Sequence, residues 1–172
     1  MIGWKQTKLN EIAEIIMGQS PKSDNYNNTG EGLPFLQGNR TFGDRYPEID
    51  TYTTQITRIA KQNDIIMSVR APVGELNIAP CELCLGRGVC AIRSKENQQN
   101  FLFYLMKDCV SRLKKMESGT IFGSVNKNDI EQLDVLIPSA PEQEKIASIL
   151  LSLDEKIELN NKINDNLSYI LT

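Results

Sequence analysis

The sequence contains no histidine among its 172 residues. Histidine is the usual general base beside a serine or cysteine nucleophile, and it is common in catalytic zinc sites. Its absence argues against Ser-His-Asp and Cys-His enzymes and against most catalytic zinc enzymes. The sequence also has no G-x-x-x-x-G-K-[ST] phosphate loop and no G-x-G-x-x-G turn. We therefore expect a protein without catalytic activity of its own.

Long apolar runs are also absent. No stretch approaches the roughly 20 apolar residues that span a bilayer, and the initial "MIGWKQTKLNEIAE" lacks the apolar core of a signal peptide. With 40% hydrophobic and 24% charged residues, the composition is typical of a globular protein. The length allows one domain of ordinary size plus an appendage. We expect a cytoplasmic protein.

The four cysteines do not have the spacing of a metal site. Cys81 and Cys84 form one C-x-x-C pair, while Cys90 and Cys109 stand apart from it. Structural zinc sites usually need a second pair or histidines, so we predict no metal site. Redox C-x-x-C pairs start a helix, whereas "PCELCLGRGVCAI" has the pattern of strand and turn. We interpret the cysteines as small apolar residues packed in a sheet.

The charge is unevenly distributed. Residues 1–120 hold 15 Lys and Arg against 13 Asp and Glu, whereas residues 121–172 hold 4 against 9. The acidic residues that produce the net charge of −3 are therefore concentrated in the C-terminal segment. The first part can still present a local basic surface of the kind that binds nucleic acid.

Hydrophobic patterns predict a mixed α/β (α+β) domain over residues 1–140. Apolar spacing predicts a helix over 7–16, followed by a long polar loop, "MGQSPKSDNYNNTGEG". Further strands are predicted at 64–69, 76–80, 88–93 and 134–138, and helices at about 98–118 and after Asn126, where Asp129 completes a capping box. We expect an antiparallel or mixed, irregular sheet.

A long helix is predicted over residues 141–172. Ser139 and Glu142 form a capping box, and Pro141 suits the first helical turn. No Gly or Pro follows for about 31 residues, which corresponds to roughly 46 Å of helix. Gln143, in the first turn, is interpreted as a hinge or cap residue.

One face of this helix has the spacing of a coiled-coil seam with a polar middle. Its members are Ile146, Leu150, Leu153, Ile157, Asn160, Asn164, Leu167 and Leu171. Such a helix cannot bury its stripe alone, so we expect it to pair with a helix of a second copy or of a second half. The alternative is that it folds back on its own domain.

Several stretches, taken in order, resemble the specificity subunit of type I restriction–modification enzymes. They are "GWKQTKLNEIAEIIMGQSP", "GLPFLQGNRTFG", "DIIMSVRAPVGELNIA", "LGRGVCAI" and "GTIFGSVNKNDIEQLDVLIPSAPEQEKIASILLSLDEKIELNNKIN". The resemblance covers essentially the whole chain. Its most specific part is the order of an apolar strand ending in Pro, then Glu-Gln, then a helix with Leu-x-x-Leu-Asp and Asn-x-x-x-Asn.

The resemblance implies a subunit with two target-recognition domains, each followed by a long helix, and each recognising one half of a split DNA site. Such a subunit is non-catalytic and has no cofactor of its own. It binds methyltransferase subunits, which use S-adenosylmethionine, and the complex recruits an ATP-dependent restriction subunit. Here only one domain and one helix are present, so we expect a piece of a longer chain, a half-subunit that dimerises, or the product of a split gene.

Candidate DNA-binding residues are polar side chains on loops and at the ends of strands. Arg matches guanine, Gln and Asn match adenine, and Lys and Ser bind phosphates. The candidates are Gln19, Ser20, Lys22, Gln37, Asn39, Arg40, Arg45, Arg70, Arg87, Thr120, Ser124 and Lys127. For the loop residues the alternative is a role in turn formation. For Arg70 and Arg87 it is a buried arginine bound to carbonyls or a carboxylate.

Two other functions remain open from the sequence, while a third, an enzyme with a cysteine-based site, is disfavoured by the missing histidines. One is a half-subunit or a specificity module of a related, type IIB/IIG-like restriction system. The other is an interaction protein that dimerises through its helix and binds no DNA. Binding to DNA that weakens steeply as salt rises distinguishes the DNA-binding functions from the last one.

Overall fold

The structure is a computed structural model that describes residues 3–117 and 123–170, with side chains described for residues 3–111 and 123–166. The strands are β1 Lys5–Lys8, β2 Ala13–Met17, β3 Tyr26–Asn27, β4 Leu33–Leu36, β5 Tyr52–Thr53, β6 Ile59–Ala60, β7 Ile65–Ser68, β8 Leu76–Ile78, β9 Leu83–Leu85, β10 Val89–Ser94 and β11 Asp134–Ile137. The helices are α1 Leu9–Ile12, α2 Gln99–Glu117, α3 Lys127–Glu131 and α4 Ala140–Ile170.

The strands form three small sheets. One is antiparallel and four-stranded, in the order β2-β10-β7-β8, and another is five-stranded, in the order β3-β5-β4-β9-β6. Within the second, β4 and β9 pair in parallel, while the other pairs are antiparallel. The third sheet pairs β1 with β11. The prediction of an α+β fold with a mixed, irregular sheet and a long C-terminal helix is confirmed.

The central strands β7 and β10 are buried on both faces. On β7, Ile65 and Met67 join a core that includes Leu102 and Met106 of α2, whereas Ile66 joins a second core against the five-stranded sheet. Strand β10 alternates between the two cores in the same way. Because neighbouring side chains of a strand point to opposite faces, coverage of both faces explains why these strands are continuous apolar runs.

Three of the four cysteines are core residues. Cys84, Cys90 and Cys109 are buried, and burial raises the pKa of the Cys90 thiol to about 12, so this thiol stays neutral. The prediction of cysteines packed in a sheet is confirmed for Cys84 and Cys90, whereas Cys109 joins the core from helix α2. Cys81 differs because it is exposed.

The predicted helix over 7–16 is wrong. Only the single turn α1 is helical, and it separates β1 from β2. From Ala13 onward the chain alternates, with Ala13 and Ile15 buried and Glu14 exposed, and it pairs with β10 along the whole of β2. Backbone hydrogen bonds to β10 stabilise the strand, whereas a helix of about ten residues is not stable alone. The strand therefore forms in place of the predicted helix.

Among the described side chains of helix α4, those that are buried against the domain lie in its first half. Gln143 and Ala147 are buried, and the Tyr104 hydroxyl of α2 donates a hydrogen bond to Asp154 at 2.9 Å. Burial and this bond raise the pKa of Tyr104 to about 12, so the hydroxyl remains a donor. Residues 155–166 are all exposed. Among the described helices, none has the length and apolar character required to cross a membrane.

An ion pair at the start of β7 connects it to β10. Asp64 is 2% exposed, and it accepts hydrogen bonds from Arg93 Nε at 2.8 Å and from Arg93 Nη2 at 2.6 Å. The Lys61 N–H donates to the same carboxylate at 2.7 Å. Arg93 also contacts the exposed Glu14 at 3.3 Å. The buried carboxylate is therefore fully satisfied, whereas Glu14 is a peripheral partner.

We predict that Asp64→Ala lowers the free energy of unfolding by about 3 kcal/mol, because it leaves Arg93 and a backbone N–H without their buried acceptor. The control Glu14→Gln should cost less than about 1 kcal/mol, since Glu14 lies on the surface. Urea denaturation of both variants measures the difference. Equal losses would contradict the role given to Asp64.

Candidate nucleic-acid interface

Three chain segments meet where β2, β4 and β9 end, and together they are called the junction: residues 18–20, 37–38 and 86–88. The Gln19 N–H donates to the Leu85 carbonyl at 2.9 Å. On the other side, the Gly88 N–H donates to the Gln37 carbonyl at 3.0 Å. The Arg87 N–H also donates to Ser20 Oγ at 3.1 Å, so the turn at 86–88 lies between the other two segments and is bonded to both.

Glycines allow this close approach. A Cβ on Gly18 would overlap the carbonyl oxygen of Gly86. A Cβ on Gly86 would lie 2.6 Å from Gln37 Cα, and one on Gly88 would lie 2.5 Å from the Gln37 oxygen. These contacts are with backbone atoms, which cannot move aside independently. Glycine is required here because of space and not because of a positive φ.

Two further backbone segments, at residues 69–70 and 124–125, are hydrogen-bonded next to the turn. The Val69 N–H donates to the Gly88 carbonyl at 2.9 Å, and the Val125 N–H donates to the Val69 carbonyl at 2.9 Å. Arg70 and Ser124 form an isolated antiparallel bridge beside these bonds. The structure thus brings Arg70 and Ser124, which are far apart in sequence, next to the junction.

The junction and this bridge present polar side chains outward. Gln19, Gln37, Arg70, Arg87 and Ser124 are exposed. Neither guanidinium group has a hydrogen-bond or ion-pair partner within the described part of the chain. The alternative of buried, internally bound arginines therefore does not hold. Two unneutralised guanidinium groups beside two exposed amides are suited to phosphates and base edges.

The remaining members of the first candidate loop lie beside the junction. The half-buried Ser20 accepts a hydrogen bond from the Arg87 N–H at 3.1 Å. Lys22 is exposed, and its backbone N–H donates to Gln55 Oε1 at 3.0 Å. Ser20 therefore has a role in holding the turn, which was the alternative given for the loop residues. The Lys22 ammonium group remains available to bind a phosphate.

The second candidate loop is mostly engaged with its own domain. Arg40 forms an ion pair with Asp50 at 2.6 Å, which holds the pKa of that carboxyl below its usual value. Asn39 Nδ2 donates to Glu75 Oε2 at 2.7 Å. Of this loop, only Gln37 joins the junction with a side chain free of partners among the described residues.

Arg45 is separate from the junction. It lines a groove between the 44–46 loop, α2 and α4, together with Phe103 and Lys107. Its guanidinium carbon lies 5.8 Å from the centre of the Tyr46 ring, and its carbonyl accepts from the Ile78 N–H at 2.8 Å. The structure does not place Arg45 with the other candidates.

Lys127 begins α3, three residues after Ser124. It contacts Glu131 at 3.5 Å, so its charge is partly neutralised. The predicted capping box of this helix is confirmed, because Asn126 and Asp129 exchange both hydrogen bonds. Thr120 lies outside the described residues.

The sequence reading missed Arg58. Its carbonyl accepts a hydrogen bond from the Leu85 N–H at 2.7 Å, next to the bond that fixes Gln19, and its side chain is exposed. Thr57 donates from its hydroxyl to the Gln19 carbonyl. A lone arginine before the two-residue strand β6 has no motif around it, so only the strand pairing reveals its place near the junction.

The predicted seam of α4 is half-buried at its start and exposed further along the helix. Ile146 and Leu150 are half-buried near α2, whereas Leu153 and Ile157 are 49% and 58% exposed. Asn160 and Asn164 are also exposed. The side chain of Leu167, and the whole of Leu171, lie outside the described part.

Gln143 connects the start of α4 to the segment before it, but its amide is a donor here and therefore does not cap the N–H groups of the first turn. Its side chain is buried, and Nε2 donates to the Pro138 carbonyl at 3.0 Å. Backbone bonds from Glu142 and Gln143 to the Ser139 carbonyl continue the first turn. The amide thus fixes the direction in which α4 leaves β11.

We predict that Gly18→Ala destabilises the protein by about 1–3 kcal/mol, because the new methyl group overlaps backbone atoms of the central turn. Gly38→Ala is the matched control, since a Cβ there meets nothing within 4 Å. Thermal unfolding of both variants measures the effect. An unchanged Gly18→Ala protein would show that the junction is not tightly packed.

Comparisons with known proteins identify the family of the chain. The family model for the type I restriction modification DNA specificity domain matches residues 1–169. The chain is 42% identical over 163 residues to a protein assigned as the type I restriction enzyme MjaX specificity subunit in Methanocaldococcus jannaschii. It is 27% identical over 179 residues to the MjaIX specificity subunit of the same organism. These matches cover 92% and 97% of this chain but only 38% and 41% of the relatives.

Solved structures give the same result. The crystal structure of the HsdS subunit from Thermoanaerobacter tengcongensis has a TM-score of 0.80 at 33% identity, covering 92% of this chain and 39% of that one. A chain from a study of assembly and conformational transition of the type I R-M system has a TM-score of 0.83 at 34% identity, covering 92% and 40%. The chain belongs to the type I restriction modification DNA specificity domain family.

Proposed function

We propose that this chain is a DNA sequence-specificity module of a type I restriction–modification complex, which binds one half of a bipartite duplex site. The observation that carries the proposal is the junction with its adjoining bridge, where Arg70 and Arg87 are exposed and unneutralised beside free amide side chains. The family and the fold support it. The chain spans about two fifths of the length of its relatives, so the second half-site belongs to another domain or another copy.

The division of labour proposed here follows the chain. Residues 1–140 recognise DNA, and residues 141–172 form a spacer helix. The module has no catalytic group and no cofactor of its own, and it acts in the cytoplasm by positioning a methyltransferase subunit on DNA. S-adenosylmethionine and ATP are then used by the methyltransferase and restriction subunits of the complex.

Pairing of the distal part of α4 with a partner helix is the second element of the proposal. Leu153 and Ile157 of the predicted seam are exposed by 49% and 58%. Apolar side chains repeated along an exposed helix are stabilised when a second helix covers them. The partner is a second copy of the chain or a second half of a longer subunit.

We predict that the double variant Arg70→Ala/Arg87→Ala binds a pool of random duplexes at least about tenfold more weakly at low salt. Each lost phosphate contact should also reduce the slope of log K against log salt by about 1, because fewer counterions are released. Fluorescence anisotropy over a salt series measures both quantities.

The matched control is Lys61→Ala. Lys61 is exposed, but it precedes β7, whereas Arg70 follows the same strand at its other end. This variant should keep near-wild-type affinity. If wild-type protein binds no duplex at low salt, with or without a methyltransferase subunit, the proposed function is wrong. If Lys61→Ala weakens binding as much as an arginine substitution, the proposed location is wrong.

We predict that Asn160→Leu/Asn164→Leu strengthens helix association but produces more than one oligomeric species, because buried asparagines specify register at a cost in stability. Asn161→Leu is the control, with the same substitution one residue away from the seam. Analytical ultracentrifugation distinguishes the outcomes. Identical behaviour of the seam and control variants would exclude a role of the two asparagines in pairing.

A further inference from the structure

We propose that Gln37 is a base-recognising residue that binds the major-groove edge of an adenine. The inference rests on the proposed function and adds to it a specific residue and a specific base. It follows from the fixed backbone of Gln37, from its free side chain and from its place beside the central turn of the junction.

The backbone at Gln37 is held on more than one side. The Leu36 carbonyl accepts from the Gly86 N–H at 2.7 Å, and the Gln37 carbonyl accepts from the Gly88 N–H at 3.0 Å. The space that a Cβ would occupy on either glycine is filled by Gln37 backbone atoms. A side chain that starts from such a fixed position loses little freedom of its main chain on binding, which favours direct recognition.

The side chain of Gln37 is unoccupied while its neighbours are engaged. The nearby Asn39 and Arg40 are bound to Glu75 and Asp50. The Gln37 amide is exposed and has no such partner among the described residues. It is therefore the polar side chain of this loop that can bind DNA without first breaking an internal contact.

The position of Gln37 favours a base over a phosphate. Neighbouring hydrogen-bonded strands are about 4.8 Å apart, so the three segments of the junction span about 10 Å. This is within the roughly 12 Å width of the major groove of B-DNA. Exposed cations lie around Gln37, with Arg87 in the central turn, Arg70 beside that turn, and Arg58 and Lys22 near the 18–20 segment. Phosphates bind these charged groups more strongly than an uncharged amide, which leaves the amide of Gln37 for a base edge.

Adenine is the base that matches a glutamine amide in the major groove. Its N7 accepts a hydrogen bond from Nε2, and its N6 amino group donates one to Oε1. Guanine offers two acceptors and cytosine a single donor. A good bidentate pair discriminates by about 1–3 kcal/mol, which corresponds to about fivefold to more than a hundredfold in affinity.

The test uses the 172-residue chain and a duplex that it selects from a random pool. Each adenine of that duplex is replaced in turn by 7-deazaadenine, which keeps base pairing but removes the N7 acceptor. Binding is measured for wild type, for Gln37→Ala and for Lys22→Ala. We expect one adenine at which the analogue weakens wild type by about tenfold but leaves Gln37→Ala unaffected.

Lys22→Ala is the matched control. Loss of a phosphate contact should weaken binding to every duplex equally and leave the position-specific effect of the analogue intact. If the selected duplex contains no sensitive adenine, or if Gln37→Ala keeps the full sensitivity, the role of Gln37 is wrong while DNA binding stands. If no duplex is selected, both the inference and the proposed function are overturned.

Discussion

The candidate interface depends on the close approach of the turn at 86–88 to the segments on either side of it. Backbone hydrogen bonds to Leu36 and Gln37 on one side and to Gln19 on the other are possible only because Gly18, Gly86 and Gly88 have no side chains. These bonds connect the end of the four-stranded sheet with the end of the five-stranded sheet. Loops that would otherwise move independently therefore present their side chains from one rigid platform.

The same architecture separates two kinds of polar residue. Buried or engaged groups, such as Asp64 with Arg93 and Asn39 with Glu75, stabilise the scaffold. Groups whose side chains have no partner in the described part of the chain lie in the junction, such as Arg87 and Gln37, or beside it, such as Arg70. The buried groups need partners within the fold, because a polar group without a hydrogen bond is costly when it is buried. The exposed groups need none, because water reaches them.

Helix α4 combines attachment and extension. Its first half is fixed by the Gln143 amide at β11 and by Asp154 against Tyr104 of α2. Its second half is exposed over residues 155–166, and Ile157, Asn161 and Asp165 line a groove together with Arg45 and Phe103. A rigid attachment followed by an extended apolar helix is suited to a spacer, because the distance between two DNA half-sites is a geometric quantity.

Much of this protein follows from local sequence. The apolar runs at 65–68 and 89–92 indicated strands, the Asn126 capping box indicated α3, and the uninterrupted segment after Pro141 indicated a long helix. Such features depend on neighbouring residues, so sequence reasoning finds them. The error at 7–16 arose because pairing with β10, a partner more than seventy residues away, decided the conformation there.

The grouping of the candidate residues was decided only by tertiary structure. Nothing in the sequence distinguishes Gln37, which joins the junction, from Arg45, which lies in a groove beside α2 and α4. Nor does it show that Arg58 lies near Gln19. Residue type determines which chemistry a side chain can offer, whereas long-range backbone pairing determines which side chains stand together. The sequence by itself therefore determined the family, the main elements and the kinds of contact available, and the fold determined the site.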